Sequence, residues 1–296
     1  MRILYLNPSG QFGGAETSLL HLMASLREAE PQWHLQLLTP ADGPLPAEAR
    51  RLGIAIATLP MPAGLARVGD SGARGRAALA GQLLPAMPAI LRYTAALRQA
   101  IREAAPDVIH TNGFKMHILG IRARPAGIPV VWHLHDYVSA RPAMKFLMRL
   151  HARDCTAAIA NSRSVAADFA KATGRTARTL YNAIDIERFS PPHPDVPHDP
   201  PRIGMVATFA RWKGHDVFLR ALSLLPRDLR YEASIVGGPI YQTGGSQYSL
   251  EELRQLAVDL GVADRVIFTG FVEDAAAAMR EFDIVVHCSV QPEPFG

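Results

Sequence analysis

Short apolar runs alternating with helix-like stretches restrict this fold more than any other feature of the chain. Ile3-Leu4-Tyr5-Leu6 opens the pattern, followed by a glycine-bearing turn and a helix predicted from about Gly14 to Glu28. In that helix Leu19, Leu22, Met23 and Leu26 recur at helical spacing on one face. Further strands are predicted at Leu35–Thr39, Ile54–Leu59, Val108–His110, Val130–His133, Ala157–Ala160 and Thr179–Tyr181. Most are near-continuous apolar runs, the pattern of parallel strands buried on both faces. The rhythm predicts an α/β fold with a doubly wound open sheet.

The pattern breaks at residues 189–201, where six of thirteen residues are proline. Such a stretch forms neither helix nor central strand and reads as a linker. Beyond it the rhythm restarts with strands at Ile203–Ala207, Tyr231–Val236, Val266–Phe268 and Asp283–His287, separated by helices. The predicted organisation is a first Rossmann-like domain over 1–188, a linker over 189–201 and a second Rossmann-like domain over 202–296.

Composition narrows the function. At 296 residues and 48% hydrophobic content, the chain is large enough for two cores and too apolar for disorder. A net charge of +4 suits anionic small molecules or an anionic membrane surface, and no nucleic-acid motif accompanies it. Cys155 and Cys288, far apart and in no Cys-x-x-Cys pattern, argue against a disulfide framework or zinc knuckle. The apolar run Ala77–Leu91 is too short for a membrane span and contains Pro85 and Pro88. It is flanked by Arg76 and Arg92, so it fits either peripheral contact with an anionic bilayer or an ordinary buried helix.

Five constellations stand where ligands meet open α/β sheets. Gly13-Gly14-Ala15-Glu16 lies between the first strand and helix, where glycine lets the backbone approach a diphosphate and the helix offers unpaired N–H groups; a plain tight turn uses the same residues. Thr208 through Asp216 carries Arg211 and Lys213 ahead of Gly214 and a helix, either a cationic clamp for a leaving phosphate or a solvated loop. Trp132-His133-Leu134-His135-Asp136 closes a strand. Its histidines face the same way only if the strand continues, and they read as a structural pair, a substrate-contacting imidazole or, with no third ligand at useful spacing, a poor metal site. Tyr181 through Phe189 is a turn in isolation. Gly237-Gly238-Pro239 and Gly270-Phe271-Val272 break two strand ends, the latter offering backbone against which a base can lie.

Taken in order, these segments resemble the retaining family-4 glycosyltransferases. The matching string is Gly13-Gly14-Ala15-Glu16, His135-Asp136, Asn161-Ser162, Asn182-Ala183-Ile184-Asp185 with Phe189 and Pro191, Trp212-Lys213-Gly214, Gly237-Gly238, Thr269-Gly270-Phe271 and Glu293-Pro294-Phe295-Gly296. The resemblance implies a GT-B fold and transfer from a UDP- or GDP-sugar, with retention of configuration, to a saccharide or lipid-linked acceptor of cell-surface glycan synthesis. It implies no metal and no cofactor beyond the donor, and a cytoplasmic location. It assigns Lys213, with Arg211, to the donor diphosphate and His135 to the donor sugar near its reacting carbon. Glu293 is assigned to sugar hydroxyls, and the loop amides of Phe295 and Gly296 to sugar or phosphate. Gly13 and Gly14 admit the diphosphate, and Gly237, Gly270, Phe271 and Val272 line the nucleotide. Two departures stand out. Thr208 occupies the place of an Arg that the family commonly has, with Arg211 as the expected substitute. The family's second Glu, four residues beyond the loop, falls past Gly296, so the second domain is expected to be incomplete and the chain alone inactive. A sugar-nucleotide 2-epimerase of the same fold and a catalytically silent nucleotide-sugar-binding module are the alternative readings.

Overall fold

The computed structural model describes residues 1–66, 76–191, 197–239 and 246–295. The chain divides into two compact units, Met1–Ala183, with which the residues from Pro294 group, and Ile184–Glu293.

In the first unit β1 (Arg2–Leu6), β2 (His34–Thr39), β3 (Ala55–Thr58), β4 (Val108–Asn112), β5 (Val130–Leu134), β6 (Ala157–Ala160) and β7 (Arg178–Thr179) form one parallel sheet in the order β3-β2-β1-β4-β5-β6-β7. Winding reverses between β1 and β4, which are hydrogen-bonded neighbours. The alternation of β1 divides its side chains between two cores. Ile3 and Tyr5 pack with Leu19, Met23, Leu35 and Leu37 on one face, and Leu4 and Leu6 with Ile109, Trp132, Leu134 and Phe169 on the other. Because both faces are covered, the strands read as continuous apolar runs. Trp132 is fully buried, and truncating such a ring typically costs about 3–5 kcal/mol.

The second unit has a parallel sheet of β8 (Arg202–Val206), β9 (Glu232–Val236), β10 (Val266–Gly270) and β11 (Ile284–Val285), in the order β10-β9-β8-β11. Its core gathers Met205, Phe209, Phe218, Leu219, Leu222, Ile235 and Leu253. Ser249 and Glu252 cap the helix Leu250–Asp259 reciprocally, each accepting from the other's backbone N–H. Between β7 and β8 the described residues form turns, with no helix or strand among them.

The run Ala77–Leu91 lies within a single helix, Arg76–Ala104, which continues through Pro85 and Pro88. Each proline removes one helical donor, and packing of the second half, where Tyr93, Leu97 and Ile101 are buried, offsets that loss. No helix among the described residues is long and apolar enough to cross a membrane.

Candidate functional site

At the reversal point of the first sheet the carboxyl ends of β1 and β4 carry a buried amide pair. Asn112 donates from Nδ2 to Asn7 Oδ1 at 2.8 Å, and Asn7 donates to the Ser9 carbonyl at 2.7 Å and to Glu16 Oε1 at 3.3 Å. Both amides are essentially inaccessible to solvent. Gly13 caps the helix Gly14–Ala29 in extended geometry, with no side chain satisfying the first N–H groups. A Cβ added at Gly14 would meet nothing within 4 Å, so this helix start faces open space. Neither glycine has a positive φ; what they provide there is room rather than an unusual backbone.

Beside them a row of rings runs along the same face of the sheet. Tyr5 pairs with His110 at 5.0 Å between centroids, His110 Nε2 lies 3.2 Å from His133 Nδ1, and His133 contacts His135 at 4.0 Å. The strand ends at Leu134, yet His133 and His135 still lie against each other. On the opposite face His117 stacks on Trp132 at 5.3 Å and shares a 2.7 Å hydrogen bond with Thr111. Burial pushes His110 down to about 3 and His135 to about 4, and drives His117 and His133 well below the usual imidazole range. All four rings are therefore uncharged at neutral pH. Both nitrogens of His135, His133 Nε2, Asn112 Oδ1 and Asn161 Oδ1 are enclosed without a protein partner. Such atoms normally bond water or a ligand.

In the second unit the chain leaves β8 through Phe209 into a single 3-10 turn, Arg211–Lys213, ahead of the helix His215–Ser223. Gly214 between them has φ +77°, and a Cβ there would lie 2.1 Å from the Cys288 carbonyl oxygen. Val290 N–H donates to the Trp212 carbonyl at 2.8 Å, and Cys288 Sγ to the Gly214 carbonyl at 3.2 Å. These contacts set the segment after β11 against the Lys213 turn. Lys213 Nζ consequently lies 2.8 Å from Glu293 Oε1, which also bonds Ser289 Oγ and lies 3.3 Å from His287 Nε2. Partial burial alone would raise the Glu293 carboxyl. Hydrogen bonds from Lys213 and Ser289, with the charges of Lys213 and His287, outweigh that and hold it below the ordinary value.

The neighbouring strand ends complete this edge. Gly237 has φ +144°, and a Cβ there would lie 1.9 Å from the Ala207 carbonyl oxygen. Its N–H donates to the Gly270 carbonyl at 2.8 Å. Gly270 has φ +79°, and Phe271 beyond it is 67% exposed. Along one edge, therefore, follow Gly270–Val272, Gly237–Gly238, Lys213 and Glu293. Arg211, expected as the second cation beside Lys213, is turned elsewhere: it donates to Glu252 Oε1 at 2.8 Å and lies 4.2 Å above the Tyr248 ring. Phe295 is partly buried, and Gly296 lies outside the described residues.

Sequence motifs did not single out Asn7, Asn112, His110, His287 or Ser289. The available signal was polar residues at the ends of apolar strands, as in His110-Thr111-Asn112.

Two Rossmann-like parallel sheets, with these groups at their carboxyl edges, define the GT-B class. The chain matches Glycosyltransferase Family 4 over residues 12–188 and the description Glycosyl transferases group 1 over residues 200–296. It belongs to Glycosyltransferase Family 4. Among solved structures it resembles Anabaena Alr3699/HepE in complex with UDP, at 27% identity and a TM-score of 0.77, covering 100% of this chain and 76% of that one. The same protein with UDP-glucose superimposes with a TM-score of 0.74 at 26% identity, with the same coverage. The apo lipopolysaccharide outer core galactosyltransferase WaaB shares the fold, at 16% identity, a TM-score of 0.68 and coverage of 100% and 76%. A curated relative is the GDP-mannose-dependent alpha-(1-6)-phosphatidylinositol monomannoside mannosyltransferase of Mycolicibacterium smegmatis. It is 33% identical over 168 residues, which span 51% of this chain and 42% of the relative.

Proposed function

We propose that this chain is a glycosyltransferase that moves a hexose from a UDP- or GDP-sugar to a saccharide or lipid-linked acceptor in the cytoplasm, with retention of configuration and without a metal. The observation that carries the proposal is the Lys213–Glu293 pair at the edge that also holds Gly237 and Gly270–Val272. Four strand ends span about 14 Å at ordinary sheet spacing, room for base, diphosphate and sugar in sequence. Phe271 and the Gly270–Val272 backbone receive the base. Gly237, which can carry no side chain against the Ala207 carbonyl, lines the nucleotide with its backbone. Lys213 binds the phosphates and stabilises the charge that develops as the nucleoside diphosphate departs, and Glu293 accepts hydrogen bonds from sugar hydroxyls. Donor binding exchanges the Lys213–Glu293 contact for these two sets of contacts. Taken by itself, the first unit offers unpaired amides at Gly13 and Gly14 that suit an anionic group, and at His135 an uncharged ring that suits a sugar hydroxyl.

UDP in the HepE complexes and GDP-mannose in the mycobacterial relative's name support both nucleotides as candidates. The test is transfer from a panel of UDP- and GDP-sugars to glycan and lipid-linked acceptors, with product anomers assigned by NMR. Retained configuration and turnover insensitive to EDTA are expected. Donor interconversion without acceptor would instead select the epimerase, and donor binding without turnover the silent binding module.

A further inference from the structure

Several donors converge on one carboxylate oxygen at the Lys213 turn. Glu293 Oε1 receives Lys213 Nζ at 2.8 Å and the Ser289 hydroxyl, and it lies 3.3 Å from His287 Nε2. Having given its hydrogen to the carboxylate, the Ser289 oxygen is left as an acceptor, 3.4 Å from the same His287 nitrogen. His287 Nε2 therefore faces acceptors on both sides, which favours the tautomer with hydrogen on Nε2 and leaves Nδ1 for a second proton. The imidazole is open to solvent, at 62% side-chain exposure, whereas Glu293 has 14%. Among the described residues the ion-pair partners of Glu293 are Lys213, from the 3-10 turn, and His287, from the segment after β11. Cys288, the next residue, is directed into the turn with its Sγ on the Gly214 carbonyl, and burial raises its thiol, so it stays uncharged at neutral pH. The charge of Asp216, in the first turn of the following helix, acts on Cys288 and His215.

Building on the donor site proposed above, we propose that His287 is a positioning residue for Glu293: as a diphosphate draws Lys213 away, the imidazole takes up a proton from solvent and holds the carboxylate in place. A carboxylate this enclosed is costly to leave without a positive partner, and sugar hydroxyls bring hydrogen bonds but no charge. A permanent second cation would repel Lys213 in the empty site. Histidine meets both demands, since near neutral pH the side chain can be uncharged beside a lysine and charged once the lysine has gone. The proton adds at Nδ1, so the Nε2 contacts with Glu293 and Ser289 survive the change. Donor binding and proton binding then favour each other, and donor affinity rises as pH falls through the imidazole range.

The test is calorimetric titration of UDP-glucose and of GDP-mannose into the chain at pH about 6.8, in two buffers of different ionisation heat; neither diphosphate titrates there itself. Uptake of about 0.3 proton per donor is expected, and its loss in His287→Gln. Donor binding without proton uptake, or uptake unchanged in His287→Gln, would overturn the proposal and leave the donor site standing. No binding of either donor would overturn the donor site, and the exchange with it. A second measurement needs no donor: NMR titration of the His287 imidazole, identified by its absence in His287→Gln. Lys213→Met, which removes the lysine's charge from Glu293, should raise the titration midpoint by about 0.3–0.7 pH unit, the size an exposed ion pair allows. Lys213→Arg, which keeps the charge, should leave the midpoint near its wild-type position, and adding Glu293→Gln to Lys213→Met should abolish the shift. A midpoint unmoved by Lys213→Met shows that His287 does not answer to the lysine's departure, and it overturns the proposal even where donors bind.

Discussion

The two sheets carry opposite electrostatic solutions at equivalent edges. The first presents buried, uncharged polar groups, with the amides of Asn7 and Asn112 and the rings of His110, His133 and His135 set among apolar strands. The second presents a cation and a carboxylate, Lys213 and Glu293, at 23% and 14% side-chain exposure. Desolvation explains the difference. A buried imidazole avoids the cost of burial by staying neutral, whereas a partly wet ion pair keeps its charges at small cost. Neutral hydrogen-bonding groups suit sugar hydroxyls, and charge suits phosphate.

The largest expected test of this contrast is acid. Each of His110, His117, His133 and His135 has a folded pKa below the unfolded value of about 6.5. The unfolded chain therefore binds the proton first, and stability falls as pH drops below about 6.5, by up to about 1.4 kcal/mol per pH unit for each ring, until the folded ring itself protonates. That limit is about 4 for His135 and about 3 for His110. Among its described residues the second unit has one comparable ring, His215, lowered to about 4 chiefly by burial. Its carboxylate Asp283, held at about 2 by backbone hydrogen bonds from Arg202 and His198, contributes stability that is lost only as pH falls below the ordinary carboxylate value toward that limit. Denaturant melts from pH 7 to pH 4.5, with Trp132 and Trp212 reporting separately after replacement of the other tryptophans, should show the first unit failing earlier. Coincident loss would break the comparison.

Next in size is Lys213→Ala, expected to lower kcat/KM about 100-fold or more by removing the charge that stabilises the departing diphosphate. A wild-type rate in this variant would sink the assignment of charge chemistry to the second edge. Gly214→Ala should destabilise the second unit by about 2 kcal/mol, because φ +77° and the Cys288 carbonyl both oppose a side chain. Hydrogen exchange localised to 202–239 reads that loss, and unchanged protection there contradicts it. Arg211→Ala sharpens the comparison with the smallest effect: since Arg211 is held by Glu252 and Tyr248, turnover should change less than about threefold. A hundredfold drop would return it to the donor site.

The sheets were legible because both-face burial leaves apolar runs in the chain, and the strand cores emerged within a few residues. Strand ends were less clear. Val108–His110 extends to Asn112 because Thr111 and Asn112 find partners in Val131 and Asn7, which sequence spacing does not reveal. In the same way Lys213 and Glu293 each stood out by motif, but their pairing joins residues 80 apart. The amide pair joins residues 105 apart and had no motif to announce it. The Arg211–Glu252 contact was likewise out of sight, because proximity in sequence to Lys213 says nothing about a residue 41 positions on.

The Lys213–Glu293 contact also bears on how fast the site fills. Two opposite charges 2.8 Å apart are, seen from beyond a Debye length, nearly a neutral object. In the proposed donor site, an incoming nucleotide anion would feel little long-range pull from this lysine until close enough to displace the carboxylate. Encounter with the site should then depend only weakly on ionic strength and stay near the range of about 10⁵–10⁷ M⁻¹s⁻¹ set by orientation alone. Removing the carboxylate with Glu293→Gln should make the on-rate faster and strongly salt-dependent, a kinetic sign that the empty site shields its own cation.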